Sequence, residues 1–135
     1  MREILQPEGW PRPKGYANGI AATGTTVYTA GVVGWNEDEK FVAKDLLGQL
    51  RQALFNTTTI LHEAHARPEH IVRMTWYITD KEEYVNNLEE VGRIWRETLG
   101  KVFPCMACVQ VIALIEDDAK IEIETTAVIP EKDTE

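Results

Sequence analysis

Residues 103–130, FPCMACVQVIALIEDDAKIEIETTAVIP, carry the strongest β signal in the chain, and the reading of every other segment follows from them. Two runs rich in β-formers, 107–114 and 120–129, flank a stretch in which Glu116, Asp117 and Asp118 suit a solvated turn, so the sequence predicts a β-hairpin. Strict alternation then puts Val109, Val111 and Ala113 on one face with Ile121, Ile123 and Ala127, which reads as core. Cys108, Gln110, Ile112, Glu122, Glu124 and Thr126 point the other way. That second face, with Met106 and Leu114 nearby, is too apolar for plain solvent and too polar for a finished core, and is expected to be an interface or a cleft.

A chain of 135 residues with 44% hydrophobic content suits one globular domain, small enough for contacts between copies to add to its stability. No stretch approaches the ~18 consecutive apolar residues of a membrane span, and the opening MREILQPEGWPRP lacks the apolar core of a signal peptide. A cytoplasmic protein without a membrane partner is the expectation. The net charge of −8 disfavours a nucleic-acid partner, because affinity for a phosphate backbone comes mainly from Lys and Arg displacing counterions.

Outward from the decisive stretch, residues 1–15 carry four of their prolines and glycines between Pro7 and Pro13 and are expected to run irregularly along the surface. Residues 19–23 and 27–33 read as a first hairpin turned at Gly24-Thr25, with Gly31 near its end suiting either close approach of a ligand or another chain, or a bulge or strand end. Trp35 in the following loop suits either a pocket wall or a cover for the core edge. Residues 45–64 show helical spacing in Leu46, Leu50, Ala53, Leu54, Ile60 and Leu61, with Asp45 placed to cap. Residues 71–78 alternate as a half-buried strand. Asp80 followed by Glu83 begins a second helix like a capping box, and Tyr84, Leu88, Val91, Ile94, Trp95 and Leu99 form its apolar stripe up to Gly100. Pro130 onward is a charged tail. The order is β-β-α-β-α-β-β, an α+β fold in which long crossovers place both helices on one face of the sheet. The uncovered face then calls for burial against copies of the same chain.

Two motifs suggest metal. His62-Glu63-Ala64-His65 falls one residue short of the H-E-x-x-H spacing that brings two imidazoles to one ion. Cys105 and Cys108 make a C-x-x-C with no second pair. Neither completes a ligand set, and there is no glycine-rich phosphate loop, so no metal and no cofactor are expected.

Phe103-Pro104, then Cys108-Val109, then Lys120-Ile121-Glu122-Ile123-Glu124 closely resemble the C-terminal signature of the RidA/YjgF family of small enamine/imine deaminases. Pro13-Lys14-Gly15-Tyr16, Thr29-Ala30-Gly31, residues 49–54 (QLRQAL) and residues 71–75 (IVRMT) before Asp80 fall in the same order as in that family. The resemblance implies a homotrimer on a chorismate-mutase-like fold, with sites in the clefts between subunits. It also implies Tyr16, Gly31, Cys108 and Glu122 as residues lining the cleft. Active members usually read P-A-R-S-C where this chain reads Pro104-Cys105-Met106-Ala107-Cys108, so Met106 stands where the family's arginine binds the substrate carboxylate.

Glu122 is then the candidate group for moving a proton to or from water, with Tyr16 orienting it, while Gly31, Met106 and Cys108 would line the substrate. Cys108 reads as a small lining residue because no histidine is placed to activate it. Met106 offers no cationic fork, which leaves three readings: a hydrolase for a small molecule of altered specificity, a site that recruits Arg12 or Lys14 as its cation, or a noncatalytic ligand-binding trimer. The first is the leading expectation.

Overall fold

A computed structural model describes residues 1–131. It is a mixed α+β fold. The strands are β1 (Arg2–Leu5), β2 (Gly19–Ala22), β3 (Thr25–Tyr28), β4 (Val32–Val33), β5 (Ile71–Ile78), β6 (Cys105–Gln110) and β7 (Ile121–Ile129). The helices are α1 (Leu46–His62), α2 (Lys81–Val85) and α3 (Leu88–Thr98), with a 3-10 turn at Pro68–His70. No helix among the described residues is long and apolar enough to cross a membrane.

The predicted C-terminal hairpin does not form. In the main sheet the order is β3-β7-β5-β6, with β4 also pairing β7, so β5 lies between the two strands that sequence adjacency suggested as partners. β6 runs parallel to β5 and β7 runs antiparallel to it. Neighbouring strands stand about 4.8 Å apart, so skipping one needs a connection spanning only ~10 Å, which the segment 111–120 covers easily. Ile112, expected on a sheet face, instead stands fully exposed on this connection, together with Ile115 of the expected turn.

The first hairpin is also replaced. β2 pairs β1 in a separate two-stranded sheet, and β3 pairs β7. Prolines begin only at Pro7, so Arg2–Leu5 keeps every N–H it needs to act as a strand. Gly24 marks the passage from one sheet to the other. Its φ is +145°, and a Cβ there would stand 2.0 Å from the carbonyl oxygen of Ile129, so only glycine fits.

α1 and α3 cover one face of the main sheet. Leu50, Ala53, Leu54 and Leu61 from α1, with Val91 and Ile94 from α3, pack against Met74, Trp76 and Ile78 of β5 and Ile121, Ile123 and Ala127 of β7. Ile71 joins this core despite its odd position in the alternation, because a register shift between Ile71 and Arg73 changes the phase of the strand. The predicted second helix is broken at Asn86-Asn87, where the Asn87 side chain donates to the carbonyl of Glu83 and competes with the helical ladder. Asp80 caps α2 by accepting from the Glu83 N–H. Asp45 makes no side-chain cap at α1. The Leu46 N–H donates instead to Glu83 Oε2 at 3.0 Å, while Glu83 Oε1 accepts from Lys120 Nζ at 2.7 Å. Trp35 packs on Phe41 in the loop before α1. The tail expected from Pro130 lies, from 132 onward, outside the described residues.

Gln49 is fully buried on α1 and ties two loops to it. Its Nε2 donates to the carbonyls of Ala43 and Asp118, and its Oε1 accepts from the Lys120 N–H at 2.7 Å. Leucine keeps the volume but strands these backbone groups. Gln49→Leu is therefore expected to lower unfolding stability by about 2–4 kcal/mol in a urea titration; a loss under half a kilocalorie would contradict this role.

Candidate functional site

The pleat of β5 sorts the residues singled out above. Trp76, buried under the helices, is level with Cys108 on β6 and Ile123 on β7. Tyr77, on the opposite face, is level with Val109 and Glu122. Residues level with one another across a sheet share a face, so Met106, Cys108 and Gln110 project toward the helices while Glu122 and Glu124 project away from them. This corrects the expected grouping of Cys108 with Glu122 and of Val109 with Ile123. The expectation assumed that β6 and β7 paired directly.

On the helix side, Met106 helps to line a cleft of about 580 Å³ between α3, the start of β6 and the segment around Gly15. Its walls are aromatic and aliphatic: Trp76, Tyr84, Leu88, Trp95 and Phe103. The Trp76 and Trp95 rings lie 5.8 Å apart, and Tyr84 meets Trp76 edge-on at 6.4 Å. Tyr84 and Trp95 belong to the stripe that the helical spacing assigned to core; here they form a wall. Trp95 is anchored by its Nε1–H donating to the Val102 carbonyl at 3.1 Å. Beyond Met106, the next residues of the β6 row reach α2: Cys108 lies beside the Tyr84 side chain, and Gln110 Oε1 accepts from the Lys81 N–H. Burial pushes Tyr84 up to about 12, with the Cys108 contact adding to the shift. Partial burial also raises the Cys108 thiol, against the pull of the Tyr84 side chain. Both groups are neutral near pH 7, so Cys108 is no thiolate nucleophile there.

On the far face the Glu122 carboxylate lies directly over Gly31. A Cβ on Gly31 would stand 2.0 Å from Glu122 Oε2, so the absence of a side chain gives the carboxylate its seat. Tyr77 donates to Glu124 Oε1 at 3.0 Å on the same face. Among the described residues no helix covers this face, and Tyr28 and Val109 on it are exposed. Tyr16 belongs to neither group. It is exposed in a second cleft with Arg12 and Phe103, and the adjacent Ala17 holds the segment against β6 by donating to the Pro104 carbonyl. The structure thus brings Met106 and Cys108 to one face, Gly31 and Glu122 to the other, and Tyr16 to the beginning of β6.

Cys105 and Cys108, three residues apart on one strand, project to opposite faces and are both free thiols. Among the described residues no group of three or more His, Cys, Asp or Glu is placed to hold an ion.

The family described as Endoribonuclease L-PSP matches residues 11–129. A 2-iminobutanoate/2-iminopropanoate deaminase of Salmonella typhimurium is 30% identical over 129 residues, covering 95% of this chain and 98% of the relative. Among solved structures, the Rid-family protein YyfB of Yersinia pestis superimposes with a TM-score of 0.83 at 30% identity, covering 95% of this chain and 98% of that one. TdcF of Escherichia coli with bound serine gives 0.66 at 27% identity, covering 94% and 98%. With the α+β fold, the ordered motifs and these full-length matches together, the chain belongs to the RidA/YjgF family, some of whose members are named as deaminases of reactive imines.

Proposed function

We propose that this protein is a homotrimeric hydrolase that deaminates imines or enamines of small metabolites, with its reaction site built between copies. The observation that carries this reading is the Glu122 carboxylate seated over Gly31 on the uncovered face of the sheet, with Met106 and Cys108 on the face behind it. A sheet separates the two groups within one copy. They meet only where β6 of one copy approaches the open face of another. β6 suits that role as an edge strand whose outer side, among the described residues, pairs only with Ala17, at Cys105. The apolar exposure of Tyr28 and Val109 on the open face supports the same contact.

In the proposed reaction Glu122 accepts a proton from water as the water oxygen bonds to the imine carbon, giving a carbinolamine. The proton passes to nitrogen, the C–N bond breaks, and a carbonyl compound and ammonia leave. Tyr16 is the candidate to orient the water or substrate. Met106 has no donor for a carboxylate, where a charge-assisted hydrogen bond contributes roughly 1.5–3 kcal/mol. The specificity should therefore differ from that of arginine-bearing relatives. A trimer that binds a ligand without turnover is the second reading, favoured by the same Met106. The excess of acid over base argues for a small-molecule substrate over RNA, in a cytoplasmic protein that needs no cofactor.

Light scattering is expected to return three times the 15.3 kDa chain mass; a monomer at micromolar concentration would remove the proposed site. Glu122→Gln should lower ammonia release from imines at least ~100-fold while trimer and melting temperature persist. Gly31→Ala has a simpler structural effect: the flexible Glu122 side chain must swing aside, so activity should fall while stability changes by less than about 1 kcal/mol. Unchanged turnover in both variants contradicts the role of this carboxylate.

A further inference from the structure

The cleft that Met106 lines has a property that neither the fold nor the proposed chemistry requires. Its walls are apolar, but Lys14, Arg96 and Lys101 stand at its rim, and none of the three forms an ion pair among the described residues. In a chain with 22 acidic and 14 basic residues, this hydrophobic cleft is lined by three basic residues and by no acidic one. Gly92 is a second, independent sign. It lies inside α3, one turn before Arg96 and one turn after Leu88, on the row that lines the cleft. Glycine costs a helix interior about 1 kcal/mol relative to alanine, and neither its backbone nor a close neighbour demands it: a Cβ there would meet only Arg96 Nη1, at 3.4 Å. What glycine provides at this position is space. The guanidinium lies over the bare backbone, and the aromatic walls remain uncovered.

We propose that this cleft receives the side chain of the substrate, and that the substrate class is an imino or enamino acid with a large aliphatic or aromatic side chain whose carboxylate meets the rim cations. A volume near 580 Å³ falls within the ~300–1,000 Å³ of small-molecule pockets, and apolar walls with a few convergent charges are what an amphipathic anion needs. Met106 then favours the apolar group through contact and polarizability. The cations replace, at the mouth, the attraction that an arginine at position 106 would supply inside. The substrate class rests on the deaminase reading above; the binding of an apolar acid does not.

Phenylpropanoate, which has no imine to hydrolyse, tests binding alone, and Trp76 and Trp95 in the walls make tryptophan fluorescence a direct readout, with calorimetry as a second. Saturable binding is expected for the acid, with the neutral phenylpropanamide at least about tenfold weaker. The exposed substitutions Lys14→Gln and Lys101→Gln should together weaken the acid about tenfold and leave the amide unchanged, and added salt should act in the same direction. Gly92→Leu should abolish binding of both by filling the cleft. Among imines generated from amino acids, those of phenylalanine and leucine should then be hydrolysed at least about tenfold more efficiently than that of alanine. Absence of saturable binding, equal affinity for acid and amide, or insensitivity to both the lysine pair and Gly92→Leu overturns the assignment. Binding as described with no ammonia released from any imine upholds the cleft as a site for apolar acids and overturns the deaminase reading.

Discussion

The pleat of β5 is the constraint on which the rest of the molecule depends. Because this strand has β6 on one side and β7 on the other, each residue from Arg73 to Ile78 fixes the facing of two partners. Trp76 commits Cys108 and Ile123 to the helix side, and Tyr77 commits Val109 and Glu122 to the far side. A slip of one residue on either edge would send a row of apolar side chains into water, which the fully buried Ile121, Ile123 and Met74 do not allow. The separation of Met106 from Glu122 is therefore as rigid as the core itself. In the proposed mechanism, oligomerisation is what reunites them, and the chemistry is inseparable from assembly.

Local signals in the sequence read true where the physics is local. The alternation at 71–78 and the helical spacing beginning at Leu46 each name an element that forms, because hydrophobic periodicity reports one buried face directly. Strand order is a different kind of fact. Nothing in the residues of β6 and β7 reveals that β5 intervenes, since the connection between them is long enough for either arrangement. That single nonlocal choice reversed the expected facing of Cys108 and Val109. Tyr84 and Trp95 show a related limit: the helix period places them on the inner side of the helices, but it does not distinguish a packed core from the wall of a cleft. Gly92, with the basic residues Arg96 and Lys101 that line the same cleft, is the signal that separates the two. The resemblance names Gly31 and Glu122 only as residues lining a cleft; the seat that one gives the other joins residues far apart in sequence and emerges only in the fold.

The framework around the cleft is tied together by a few polar side chains. Glu83 satisfies the first N–H of α1 and pairs with Lys120, so that one carboxylate joins α2, α1 and the approach to β7. Gln49 does the same for the loops around Ala43 and Asp118. Such bridges hold α2 in place, although it buries no residue of its own, and Tyr84 on α2 in turn meets Trp76 and Cys108. A cleft with rigid aromatic walls and cations only at its mouth selects by shape and apolar area within and by charge at the entrance, a different division of labour from a buried arginine gripping a carboxylate.

The central claim is that one reaction site draws Met106 from one copy and Glu122 from another. Mixing two variants tests it most directly. Met106→Trp, which obstructs the cleft, and Glu122→Gln, which removes the carboxylate, are each expected to be nearly inactive on the imine of phenylalanine. When the two are unfolded together and refolded as mixed oligomers, random assembly gives about a quarter of the interfaces an intact residue from each contributing copy, and activity should return to about that fraction of wild type. Mixed oligomers that form, as shown by a mass tag on one variant, yet remain as inactive as their parents would contradict a site shared between copies.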